Sequence, residues 1–167
     1  EYGLLNHRPA AGFDPSFIVL STLDLAVDSI YNRGADIALQ IRRMAFTERS
    51  GLTVSDMTGD IGMDASGISL AGVTLKTPFS RIEANISAGE GILALAPDSP
   101  LKADLMADVN TKDLKYLYPA LIPPVLDGRI VSLALTAAGT LGDIGKAGLD
   151  ISSPGHVAFT ADGAARN

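Results

Sequence analysis

Leu23, Leu25 and Val27 alternate with Asp24, Ala26 and Asp28, and runs of this kind recur along the chain, separated by glycine or by Ser/Thr-Pro. Side chains on a β-strand alternate between faces with a period of two, so such a run builds a strand with one oily and one wet side. A strand over Phe17 to Tyr31 has to change phase once, because Ile18 and Leu20 share a parity that Leu23, Leu25 and Val27 do not. A bulge near Ser21-Thr22 accounts for it. Asn32-Arg33-Gly34 turns the chain into a second strand carrying Ile37, Leu39 and Ile41, and Ser50-Gly51 turns it again. Strands over Leu52 to Met63 and Ile68 to Thr77 both shift phase midway, which predicts a strongly coiled sheet.

After Thr77-Pro78 the alternation resumes through Ile82, Ala84 and Ile86 and closes at Gly89-Glu90-Gly91. A short apolar piece, Ile92 to Ala96, precedes the Pro97 and Pro100 loop. Leu101 to Val109 then reads as a clean strand, as do Arg129 to Ala138, Lys146 to Ser152 and His156 to Asp162. One helix is expected near residues 112–121, where Leu114, Leu117, Tyr118 and Leu121 fall at helical spacing. Asn110 or Thr111 is available as N-cap, and Pro119 and Pro123-Pro124 limit its length. Roughly nine strands and one short helix give a mainly all-β chain: a curved, antiparallel-rich elongated sheet, folded lengthwise as a β-taco or left as an open sandwich. A closed β-sandwich is the competing architecture. A weak repeat supports elongation: Val73-Thr74-Leu75-Lys76-Thr77-Pro78 and Leu149-Asp150-Ile151-Ser152-Ser153-Pro154 share one pattern 76 residues apart.

Residues 1–16 show no period and hold Pro9, Gly12 and Pro15, so they read as a linker or tail with partial order. Residues 17–167 form one β-rich region, expected to be a fragment of a longer repetitive protein, since the chain starts and stops abruptly. At 167 residues it is long enough to bury a core. Hydrophobic residues make up 47% and charged ones 19%, which argues against disorder. No window approaches the roughly 18 apolar residues of a membrane-spanning helix. The net charge of −6 and 13 scattered Lys and Arg give no basic footprint for nucleic acid. Having no cysteine, the chain has neither disulfides nor thiolate metal sites.

Little else suggests catalysis. His7 and His156 are far apart with no nucleophile motif beside them, so neither catalytic nor metal roles are assigned and no cofactor is expected. Asp24 with Asp28, and Asp104 with Asp108, share the wet side of their strands; paired carboxylates can do acid/base work when one is desolvated, yet solubilising an amphipathic strand is the simpler role. Gly89-Glu90-Gly91 lacks the lysine and helix of a phosphate loop. Arg42-Arg43 reads as a rim contact, and Asn85-Ile86-Ser87 as a glycosylation sequon placed mid-strand. The apolar stripe is then the candidate for function, with Leu23, Leu25, Val27, Ile37, Leu39, Ile41, Val73, Leu75, Ile82 and Ile86 as its cleanest members. Periodicity alone leaves it open whether that stripe is a ligand groove or one half of a sandwich core.

Residues 52–88, with their Gly72-Val73-Thr74-Leu75-Lys76-Thr77-Pro78-Phe79-Ser80 core, resemble the recurring unit of the TamB and AsmA-like envelope proteins. The stretch from Asp113 to Ser152 resembles that family's short Asp-Leu helix, proline, Gly-led strand and G-T-L-x-x-I turn, here Gly139 to Ile144. Loosely, the likeness covers residues 17–165. It implies a non-catalytic section of a periplasm-spanning β-groove that supports phospholipid transport and outer-membrane assembly in a Gram-negative envelope. The whole protein would be anchored in the inner membrane, with phospholipid acyl chains and outer-membrane assembly proteins as partners. The alternative is an envelope module with a solid core that binds proteins by β-strand addition at an open edge.

Overall fold

The computed structural model describes residues 2–3, 13–14, 16–34, 36–89, 98–118, 122, 124, 127–140, 142–155 and 157–166. In chain order the elements are β1 (Tyr2–Gly3), β2 (Phe17–Ile18), β3 (Leu20–Arg33), β4 (Asp36–Glu48), β5 (Thr53–Asp64), β6 (Gly67–Lys76), β7 (Arg81–Gly89), β8 (Pro100–Asn110), α1 (Thr111–Leu117), β9 (Ile130–Thr140), β10 (Asp143–Ser153) and β11 (Val157–Arg166). Strands β3 to β11 form one open antiparallel sheet of nine in sequence order, and β1 pairs with β2 apart from it. This is the all-β architecture the alternation predicts. The sheet closes neither into a barrel nor into two separate hydrogen-bonded layers. Within the expected tail, Tyr2–Gly3 pair with Phe17–Ile18, and Asp14 starts a turn by accepting from the Ser16 and Phe17 N–H groups.

Each phase change in the sequence is a register shift in the structure. Thr22 takes φ 52°, and the β3–β4 register slips between Ser21 and Asp24. In β5–β6 the slip falls between Thr58 and Asp60, around Gly59 at φ 142°. A Cβ at residue 59 would sit 2.7 Å from the Val73 Cα, so only glycine lets the two backbones approach here. In β6–β7 the slip falls between Leu70 and Val73, where Gly72 adopts φ 57°. Its N–H donates to Asn85 Oδ1 at 2.8 Å. The mid-strand sequon asparagine thus satisfies a donor that the bulge turns away from its ladder.

The helix is shorter than the expected 112–121. Asn110 caps it, accepting from the Lys112 N–H at 3.0 Å, and it ends at Leu117. Tyr118 leaves helical geometry at φ −136°, ψ 72°, as suits a residue preceding proline. Leu121, Pro119 and Pro123 lie outside the described residues, as do Ile92 to Ala96, Glu90 and Gly91. Because α1 joins β8 to β9, it lies on the rim that also carries the β4–β5, β6–β7 and β10–β11 turns. Asp113 Oδ2 accepts from Thr77 Oγ1 at 2.5 Å and from the Ser80 hydroxyl, whose oxygen in turn accepts from the Asn110 N–H at 2.9 Å. Farther along, the Tyr116 ring packs where a Cβ on Gly51 would be 2.9 Å away. About two turns of helix therefore tie the β4–β5, β6–β7 and β8–β9 connections of this rim into a brace.

Candidate functional site

Register carries the apolar positions into three ladders that cross all nine strands. The middle one runs Val27, Ile41, Gly59, Val73, Ala84, Leu105, Leu135, Leu149 and Ala161, with Gly59 meeting Val73 across the bulge. On the α1 side of it lie Leu25, Met44, Met57, Leu75, Ile82, Ala107, Leu133, Ile151 and Phe159. On the far side lie Ile30, Leu39, Ile61, Leu70, Ile86, Ala103, Ala137, Ala147 and Gly163. All ten sequence-chosen positions share this face. Leu25, Val27, Leu39, Ile41, Val73, Leu75, Ile82 and Ile86 stand in the ladders. Ile37, opposite Met63, and Leu23, two residues before Leu25, extend the face toward its rims.

The face is covered unevenly. Ile41, Val54, Val73, Ala84, Ala88 and Ala107 are buried, while no leucine, methionine or phenylalanine among the described residues is. Ile41, in the middle ladder, retains 5% of its surface. Toward β3 the cover fails: Leu23, Leu25 and Ile30 are exposed, Ile30 to 72%.

Hydroxyls and ion pairs hold the opposite face in water. Thr58 and Thr74 are 2.8 Å apart, Thr47 and Thr53 3.3 Å. The Arg42-Arg43 doublet is not a rim contact: it sits within β4 and pairs across to β3, Arg42 with Asp28 at 3.2 Å and Arg43 with Asp24 at 3.5 Å. Asp108 accepts from Ser132 at 2.5 Å, and Asp104 lies opposite Asn85 and Thr136. All four aspartates are exposed, which places the acidic pairs on a solvated surface. A shallow hollow of about 330 Å³ on that side, beside Arg81, Glu83, Met106 and Asp150, has its arginine tied to Glu83 at 2.5 Å. Among the described residues no three His, Asp or Glu side chains gather to hold a metal, and no helix is long and apolar enough to cross a membrane. His7 and His156 lie outside the described residues.

The rim carries the buried polar chemistry. Glu48 is buried; burial raises its pKa, but hydrogen bonding by Ser50 and by the Val19 and Arg49 N–H groups outweighs this and holds the carboxyl below 4.5. Its carboxylate accepts from the Ser50 N–H at 2.6 Å. Sequence reading passed over Glu48, Asp113 and the β5 and β8–β11 members of the ladders. The β8–β10 alternation was visible, but its shared face depends on register. In β5, Met57 and Ile61 share a parity, but their partners on β4 and β6 are set by the register slip around Gly59. Comparisons with family models, with curated proteins and with solved structures return no match to this chain.

Proposed function

We propose that this chain is a non-catalytic, groove-forming section of a cell-envelope protein, whose apolar face shelters phospholipid acyl chains in transit. The observation that carries the reading is the set of three continuous aliphatic ladders left partly open to solvent. Nine strands at about 4.8 Å spacing extend roughly 40 Å, longer than the ~30 Å hydrocarbon thickness of a bilayer, so whole acyl chains fit along the stacking direction. Burial at about 0.8 kcal/mol per CH₂ is non-directional and holds a chain without fixing its position, as transport requires. The resemblance of residues 52–88 and 113–152 to TamB and AsmA-like proteins points the same way and supplies the expectation of a periplasmic setting.

Native mass spectrometry and organic extraction of the purified chain test the reading. Co-purifying phospholipid, lost when Leu39 or Ile86 is made polar, is the expected result. Lipid-free protein from envelope fractions would remove the main support. The second reading, a protein-binding module, draws on a different observation: among the described residues the sheet ends in β3 and β11, each paired on one side.

A further inference from the structure

The apolar face has two unlike margins. On the far side its outermost row reads Ile37, Met63, Ile68, Ala88 and Leu101 across β4 to β8, with no charge in it. On the α1 side the pairing of β8 with β9 runs past the strands: the Thr111 N–H donates to the Arg129 carbonyl at 2.9 Å, and the Arg129 N–H to Thr111 Oγ1 at 3.2 Å. That pairing keeps Arg129 on the parity of Val131, Leu133 and Leu135, so the oily series of β9 ends on an exposed guanidinium. Lys112 lies beside it. Its Cε is 3.5 Å from where a Cβ on Gly128 would stand, and its ammonium is 5.0 Å from the centre of the exposed Phe79 ring. Among the described residues neither cation makes an ion pair. The acids of this margin are engaged already: Glu48 by the Ser50 N–H, Asp113 by the Thr77 and Ser80 hydroxyls, and Asp127 by Lys115 at 2.7 Å. Strand β9 lies between β8 and β10, inside the sheet.

We propose that Lys112 and Arg129 receive the phosphate of a phospholipid whose acyl chains lie on the apolar face. The assignment rests on the lipid reading above and adds a direction to it: headgroup at the α1 margin, tails inward over the ladders. An aliphatic surface that ends in free cations on one margin only is complementary to a molecule that is hydrocarbon at one end and anionic at the other. A guanidinium offers a two-pronged donor to phosphate oxygens and an ammonium a point charge, so the two together suit a phosphodiester. The exposed rings of Tyr116 and Tyr118 stand at the same margin, where hydrocarbon gives way to water, a setting that suits an apolar ring with a polar tip. Ionic contacts at exposed side chains are weak, which lets the headgroup leave again. Lys102 and Lys146 do not compete for this role: both stand opposite Ala138, on the parity of the wet face.

Binding of two lipids with the same tails tests it. The delipidated 167-residue chain, offered dioleoylphosphatidylglycerol or dioleoylglycerol in dodecyl maltoside micelles, should hold the phosphate-bearing lipid roughly tenfold more tightly. The double variant Lys112→Gln, Arg129→Gln should lose that preference and keep its affinity for dioleoylglycerol. Lys102→Gln with Lys146→Gln, which removes the same charge from the wet face, should change neither. The exchange Lys112→Arg, Arg129→Lys should retain the preference. Position is read separately: the chain has no cysteine, so a nitroxide on Tyr118→Cys, at the α1 margin, should broaden the lipid phosphorus resonance more than one on Ala65→Cys in the β5–β6 turn. Equal affinity of the unaltered chain for the two lipids, an equal loss in the wet-face variant, or stronger broadening from residue 65 would overturn the headgroup site and leave the lipid reading standing. Binding of neither lipid would overturn both.

Discussion

The α1 rim and the apolar face are built from opposite materials. At the rim the buried side chains are polar: Asp14, Glu48, Ser80, Thr111, Asp113 and Ser153, each with hydrogen-bonding partners in turns or strand ends. On the face Ile41 and Val73 are buried, but the leucines, which most proteins bury first, stay partly in water. The difference teaches where stability resides. Backbone ladders and rim hydrogen bonds fix the sheet, so that the apolar face need not be filled by the protein's own side chains. Hydrogen-bonded buried polar groups specify one arrangement, while a half-open aliphatic face tolerates several occupants.

The largest effect is expected where the face is not loose. Gly59→Ala asks for a side chain at φ 142°, 2.7 Å from the Val73 Cα and 2.8 Å from its Cγ2. Backbone strain and overpacking together should cost about 3 kcal/mol. Gly145→Ala, whose Cβ would meet only the Ala138 carbonyl at 3.8 Å, serves as the neutral control. Chemical denaturation that found the two alike would mean the crease at Gly59 is as open as the face around it.

Next in size is the rim. Asp113→Ala strips the acceptor from Thr77 and from the buried Ser80 hydroxyl and releases the start of α1. Leaving a buried donor unmet costs about 1–3 kcal/mol, and Asp113→Asn, which keeps one carbonyl oxygen, should lose less. If α1 is a brace, hydrogen exchange should rise at the β6–β7 turn and at Gly51 together. A rise confined to residues 111–118 would show that the hairpins stand without it.

The face should respond least per unit of chemical change. Leu39→Asp places a carboxylate on the far ladder at a half-buried position from which it reaches water, at about 1–2 kcal/mol, while bound lipid should be lost. Outright unfolding would mean that the face is a solid core.

How much of this was legible follows from what each feature depends on. Alternation is local, so the strands and the oily side of each were readable, and bulges showed as changes of phase near Thr22, between Val54 and Met57, and at Gly72, whereas the slip at Gly59 lies between Met57 and Ile61 of one parity and left no such mark. Helix length was read too long because Leu121 continues the period while Tyr118, preceding proline, does not continue the geometry. The rim was hidden. Asp113 meets Thr77 and Ser80 across a separation of more than thirty residues, and no spacing rule links an acid in a short helix to hydroxyls in a turn that far away. Likewise Arg42 and Arg43 looked like an isolated doublet until register brought them against Asp28 and Asp24.

The smallest effect separates rim from face by titration. Glu48 has its folded pKa below the ordinary 4.5, so the unfolded chain binds its proton more readily. Its contribution is therefore complete above pH 4.5 and is lost as the pH falls through the lower folded value. Asp64, held down by Ser66, and Asp127, held down by Lys115, act in the same direction from exposed turns. The aliphatic ladders contain nothing that titrates. Melting temperature should fall from about pH 6 to about pH 3, and Glu48→Gln should flatten part of that fall without abolishing it. The local signature is sharper: as the pH falls, protection against exchange relative to the intrinsic rate should be lost at the Ser50 N–H, which donates to Glu48 at 2.6 Å, before it is lost along β6 and β7. Simultaneous loss at the rim and in the central strands would show that the two regions melt as one unit and are not separable in the way their materials suggest.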